Sequence, residues 1–144
     1  MGEQPVPKAN AMLICDSVIT DKATNKKSLI GVFENISASK FPCVHHSLAV
    51  YIKLTDARGK YKFRLELVDL EGNLIIGKTE LPQEININNP LGTFDLVINF
   101  GGLTFKHAGE YDFRMFANNK IFEQKKFSVK QIQIKKLPEK GYAN

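Results

Sequence analysis

Cysteine and histidine supply both soft metal ligands and thiol–imidazole pairs, and Cys43-Val-His45-His46 is where this sequence brings the two residue types together. Zinc takes about four nitrogen or sulfur ligands in a tetrahedron. Cys43, one of the two histidines, and Cys15 or His107 folded nearby would make such a set. The same residues would alternatively place a thiol beside a base, with Asp16 as the orienting acid. Two features weigh against both chemistries. Neighbouring residues on a strand point to opposite faces, which sends His45 and His46 apart. The chain also holds only 2 Cys and 3 His, without the second paired spacing that zinc modules show. No nucleophile elbow, zinc-protease helix motif or phosphate-cradling loop is written in the sequence, and Gly101-Gly102 reads as a turn. The residue types therefore predict no catalytic residue, no metal and no cofactor.

Lysine is the other chemistry-bearing residue type. Residues 120–144 hold Lys120, Lys125, Lys126, Lys130, Lys135, Lys136 and Lys140 against Glu123 and Glu139, which accounts for the whole net charge of +5. Residues 1–119 are neutral, so the charge belongs to the last strand and tail. Each lysine could neutralise a phosphate. The strip lacks arginine, however, and after Phe127 its only aromatic is Tyr142, so base stacking has little to work with. Lysines also guard exposed strand edges against aggregation, and that is the expectation here. Tyr51, Phe116 and Phe122, each opposite its strand's main apolar side, are the only candidates for an exposed aromatic platform of the kind sugars stack on.

These residues must be positioned by strands. Apolar runs separated by turn residues recur from Ala11 onward, and no window keeps helical spacing. Tyr61, Phe63, Leu65 and Leu67 alternate with Lys62, Arg64 and Glu66, giving one core face and one wet face. Phe94, Leu96, Ile98 and Phe100 alternate likewise. Gly31, inside the near-continuous apolar run from Ser28 to Glu34, signals a bulge or a close approach. Asp69-Leu-Glu-Gly72-Asn73 and Asn118-Asn119 are turns, the second of type I′. At the end of the last strand the apolar face switches between Lys130 and Gln131, from Phe127 and Val129 to Ile132 and Ile134, which predicts a bulge, a bend, or a segment that leaves its own sheet to cover a neighbour.

Leu103 to Phe113 fixes the class. A Gly109-x-Tyr111-x-Phe113 strand entry after an apolar pair resembles the tyrosine corner of immunoglobulin-like sandwiches, in which a buried Tyr hydroxyl bonds upstream backbone. The fold predicted is all-β, an immunoglobulin-like two-sheet antiparallel sandwich of about 7–9 strands. It has a flexible leader over 1–10, the sandwich over 11–130 and a basic extension over 131–144. The chain has no Trp and no cysteine two residues after Tyr111, which separates it from antibody-type domains.

Ala11-Met-Leu-Ile-Cys-Asp-Ser, Ser28-Leu-Ile-Gly-Val-Phe, Phe41-Pro42, Asp69-Leu-Glu-Gly and Gly109-x-Tyr-x-Phe together resemble an uncharacterised family of small bacterial single-domain proteins, over roughly residues 9–130. The resemblance implies a fold and carries no activity, cofactor or catalytic residue with it. No run of 18 apolar residues exists, and Met1 to Lys8 lacks the apolar stretch of an export signal. The expectation is a cytoplasmic protein, off the membrane, with Cys15 and Cys43 as free thiols. The function expected is a non-enzymatic binding or assembly module that contacts a protein partner or a second copy through strand edges and Ile132 and Ile134. The alternative is a nucleic-acid-associated protein using Lys125, Lys126, Lys130, Lys135 and Lys136.

Overall fold

The computed structural model describes residues 4–133, and every regular element among them is a strand. In chain order these are β1 (Lys8–Thr20), β2 (Lys27–Val32), β3 (Asn35–Ala38), β4 (Cys43–Thr55), β5 (Gly59–Tyr61), β6 (Phe63–Asp69), β7 (Leu74–Glu80), β8 (Ile85–Ile87), β9 (Phe94–Phe105), β10 (Gly109–Ala117) and β11 (Lys120–Gln131). One sheet runs β2-β1-β4-β9 and the other β3-β11-β10-β6-β7, while β5 and β8 form a separate ribbon. The period-two pattern explains why the sheets stack. Phe63, Leu65 and Leu67 of one sheet and Val50, Ile52 and Leu54 of the other are all 0 % exposed and belong to one core.

Rings concentrate where the sheets are joined. Phe113 packs 5.7 Å from Phe100 and 5.3 Å from Phe127, and Phe105 meets Tyr111 edge-on at 5.0 Å. Such pairs add to the area each ring buries. The turns follow their residues: Asn118 and Asn119 sit at φ 50° and 66° between β10 and β11, as a type I′ hairpin requires. Gly72 and Asn73 take positive φ in the β6–β7 turn.

Four details depart from the sequence reading. The leader is shorter than residues 1–10: β1 already starts at Lys8, and the Tyr61 hydroxyl donates to the Pro5 carbonyl at 2.6 Å while accepting from the Arg58 N–H at 2.9 Å. A fully buried phenol needs such partners, and Pro5 supplies one. The strand count exceeds the expected range because short pieces pair: β3, with Ile36 as its only large apolar residue, is too brief to show a period. It lies parallel to β11 with Val129 opposite Ile36, so the sandwich is antiparallel apart from this pair.

No bulge or bend lies between Lys130 and Gln131: pairing with β3 runs unbroken through Gln131, and residues 132–133 lie past the end of the strand. The bulge lies instead where Met115 faces Glu123 but Phe116 faces Ile121. The extra residue, Phe122, is turned onto the core, edge-on to Phe63 at 6.3 Å. On the wet side of β10, Asp112 is only 2 % exposed. Arg114 Nε donates to its Oδ2 at 3.1 Å, and Oδ1 has no hydrogen-bond partner among the described residues.

Because Phe113 touches rings from both sheets, Phe113→Ala is expected to cost about 3–5 kcal/mol. Urea denaturation followed by far-ultraviolet circular dichroism checks this.

Candidate functional site

The residues that looked able to do chemistry are dispersed by the fold. Cys15 is buried, with Sγ donating to the Ser17 and Ala49 carbonyls at 3.5 and 3.6 Å. Burial, then the charge of Asp16, pushes its thiol up. Cys43 packs on the core, and burial pushes that thiol up as well. Both cysteines are free. His45 turns to Asp16, 3.2 Å away, and lies against the Phe33 ring, while His46 is exposed. No hydrogen bond joins Cys43 to His45 among the described residues, and no group of three or more His, Cys, Asp or Glu there could hold a metal ion.

Of the lysine strip, Lys125 lies 3.4 Å from Glu34, and Lys126 and Lys130 are exposed on β11. Ile132 is 47 % exposed just past the strand, its N–H bonded to the Ala38 carbonyl at 2.9 Å. Ile134, Lys135 and Lys136 lie outside the described residues. The aromatic candidates are engaged too: the Arg64 guanidinium covers Phe116 at 4.1 Å, Tyr51 bonds Asp95 at 3.1 Å, and Phe122 packs on the core.

The tyrosine corner is built as expected. Phe105 ends β9, Gly109 opens β10, and the fully buried Tyr111 donates to the His107 carbonyl at 2.7 Å. Burial and nearby Asp69 push the Tyr111 hydroxyl up to about 12, so it stays a donor at ordinary pH. His107 extends the network in a way the sequence did not show. Its Nδ1 lies 2.8 Å from the Ala108 carbonyl and 3.0 Å from Glu71, and its Nε2 lies 2.6 Å from Asp69. Acceptors at both nitrogens suit the doubly protonated ring. The Ala108 carbonyl foremost, then Asp69, holds its pKa above the ordinary histidine value. Asp69 also accepts the Glu71 N–H at 3.0 Å within the β6–β7 turn. That turn and the corner are thereby clamped together.

Above the clamp, β7 and β9 are the edge strands of their respective sheets on the same flank. A cleft of about 380 Å³ opens there, lined by Asp69, Leu74, Ile76, Leu103, Lys106 and Tyr111, among others. Its rim is apolar: Leu74, Ile75 and Ile76 are 61, 57 and 36 % exposed in succession. β7 is irregular here, because Leu67 faces Gly77 but Val68 faces Ile75, which leaves Ile76 as an extra residue. Gly77 lets the strand sit close to the core, since a Cβ there would lie 3.3 Å from Leu103.

A model of a family of unknown function, DUF6941, matches residues 10–130. The chain belongs to this family. The match covers β1 through nearly all of β11 and so corresponds to the sandwich itself. No curated protein matches the chain. Among solved structures, a Pseudomonas fluorescens alkylpurine DNA glycosylase bound to DNA containing an abasic site analogue is similar at TM-score 0.51 and 8 % identity. That alignment covers 86 % of this chain and 30 % of the glycosylase. An immunoglobulin-like protein from Pseudomonas aeruginosa aligns at TM-score 0.44 and 15 % identity over 89 % of this chain and 99 % of its own. A β-glucosidase 3B from Thermotoga neapolitana in complex with α-D-glucose aligns at TM-score 0.41 and 14 % identity over 84 % of this chain and 16 % of its own. The chain thus spans less than a third of the glycosylase. At such identities the likeness concerns the fold alone.

The clamp makes stability depend on pH with a definite sign. A histidine whose pKa is raised by folding stabilises fully below its unfolded value, about 6.5, and loses that contribution as pH rises through the folded value. The urea midpoint of the native chain is therefore expected to exceed that of His107→Gln most at about pH 5.5, with the gap narrowing toward about pH 8.5. A gap that widens with pH contradicts the clamp.

Proposed function

We propose that this family member is a non-enzymatic protein-binding module that accepts an extended segment of its partner along the free edge of β7. The observation that carries this reading is the run of three exposed large apolar residues, Leu74, Ile75 and Ile76, on a strand that among the described residues pairs with β6 alone. Edge strands usually carry short spans, charges or proline because unpaired backbone groups recruit other strands. β7 has Lys78 and Glu80, paired with each other at 3.5 Å, only at its far end. An added strand gains backbone hydrogen bonds from the edge, and its side chains gain pockets in the adjoining cleft. The partner contact assigned to Ile132 and Ile134 gives way to β7 in this reading, because among the described residues Ile132 has polar Gln131 and Gln133 for chain neighbours, whereas β7 exposes three large apolar residues in a row. The free thiols of Cys15 and Cys43 suit a reducing, cytoplasmic setting.

The nucleic-acid alternative would rest on Lys126, Lys130 and the lysines beyond residue 133. The two readings separate on salt and on one substitution. Ile75→Glu is expected to abolish capture of a protein partner from native cells, and that capture by the unmodified chain is expected to survive about 0.5 M salt. Retention of nucleic acid that falls steeply with salt and is indifferent to Ile75→Glu would replace this reading with the alternative.

A further inference from the structure

The β1–β2 hairpin does not continue in the plane of its sheet. β1 pairs with β4 only as far as Cys15 opposite Ala49, and from there to Thr20 it pairs with β2, ending with Thr20 opposite Lys27. Asp95, on β9, is level with Lys53 of β4 and Ala11 of β1. In a flat extension Lys27 would lie about 30 Å from Asp95. Its Nζ is in fact 2.9 Å from Asp95 Oδ1. Asp95 and Tyr51 alternate with buried Leu96, Val50 and Ile52 and so face away from the core. The hairpin therefore folds back diagonally across the outward face of β4 and β9.

Burial agrees. Leu48, Ala49 and Val50 are exposed by only 1, 0 and 0 %, and Ile14 and Cys15 by 0 %, so both faces of the sheet are covered at this point. On the hairpin itself Val18, Lys27 and Leu29 are half-buried, whereas Ile19 and Ile30 are 55 and 47 % exposed.

The ends of this arm have distinct chemistry. At its base Gly31, with φ 70°, faces Asp16 so closely that a Cβ would lie 2.5 Å from the carboxylate. His45 approaches that carboxylate at 3.2 Å, and the Ser47 hydroxyl donates to the Asp16 carbonyl at 3.0 Å. At the tip, Asp95 receives Lys27 on one oxygen and the Tyr51 hydroxyl, at 3.1 Å, on the other. The turn beyond Thr20 is self-contained: Asp21 accepts the Ala23 and Thr24 N–H groups at 2.8 and 3.1 Å. The arm therefore keeps its own structure whether or not the tip is attached.

We propose that residues 16–32 form a latched flap that turns on Asp16 and Gly31, is held shut by Lys27 on Asp95, and alternately covers and uncovers the apolar strip at Cys15 and Ala49. Such local opening is a sub-global event, independent of unfolding of the core. Cys15 reports it, because its thiol is reached only when the flap lifts. Cys43, outside the flap, serves as the internal reference.

The test labels the native full-length chain with a thiol reagent, quenches at intervals, and follows Cys15 and Cys43 separately by peptide mass spectrometry. Lys27→Met is expected to speed Cys15 labelling about five- to tenfold, with the Cys43 rate and the urea midpoint unchanged. Asp95→Ser, which cuts the latch from the other side, is expected to do the same. The proposal is overturned if Cys15 labels at the parental rate in either variant. It is equally overturned if Cys15 and Cys43 accelerate together as the urea midpoint falls.

Discussion

The fold hangs on one hydrogen bond at the crossover between the sheets, from the Tyr111 hydroxyl to the His107 carbonyl. Where a chain leaves one layer and enters the other, its backbone has no ladder to satisfy it. A carbonyl left there without a partner costs more than an ordinary hydrogen bond contributes. Tyr111 supplies that partner while its ring is sandwiched among Phe105, Phe127 and the His107 imidazole. The same residue is therefore part of the polar accounting and of the core. Everything nearby inherits the resulting position: His107 is presented to Asp69, the β6–β7 turn is fixed, and β7 is set beside β9 with a cleft between them.

Much of this was legible in the residues. Gly109, Tyr111 and Phe113 announced the corner, because a phenol at that spacing has few other uses in a two-layer β protein. Period-two alternation gave Phe63, Leu65 and Leu67 as core. What escaped was contact between segments remote in sequence. The clamp joins Asp69 to His107 across the fold, and each residue alone reads as an unremarkable polar turn residue. The flap was signalled only by Gly31, whose close approach proved to be to Asp16. The bulge that turns Phe122 inward was not signalled, and the out-of-phase Ile132 reads the same whether the strand bulges, bends or simply ends. The exposed Leu74-Ile75-Ile76 run carries no such signal, since alternation cannot say which side of a strand lacks a neighbour.

Two flanks of the sandwich are treated differently, and that difference organises the functional reading. On one flank β3 lies over the edge of β11. On the other, the edges of β7 and β9 have no strand partner among the described residues and lie beside apolar side chains. Cys43 is drawn into packing and His45 into a hinge contact with Asp16, while His46 stands exposed. The proposed strand-accepting role rests on the exposed apolar run of β7 beside the cleft.

The most direct measurement is the unfolding free energy of Tyr111→Phe, which keeps the ring and deletes only the hydroxyl. With the His107 carbonyl left unpaired, stability should fall by about 1–3 kcal/mol while the strand spectrum persists. A variant as stable as the parent would contradict the central place given to the corner.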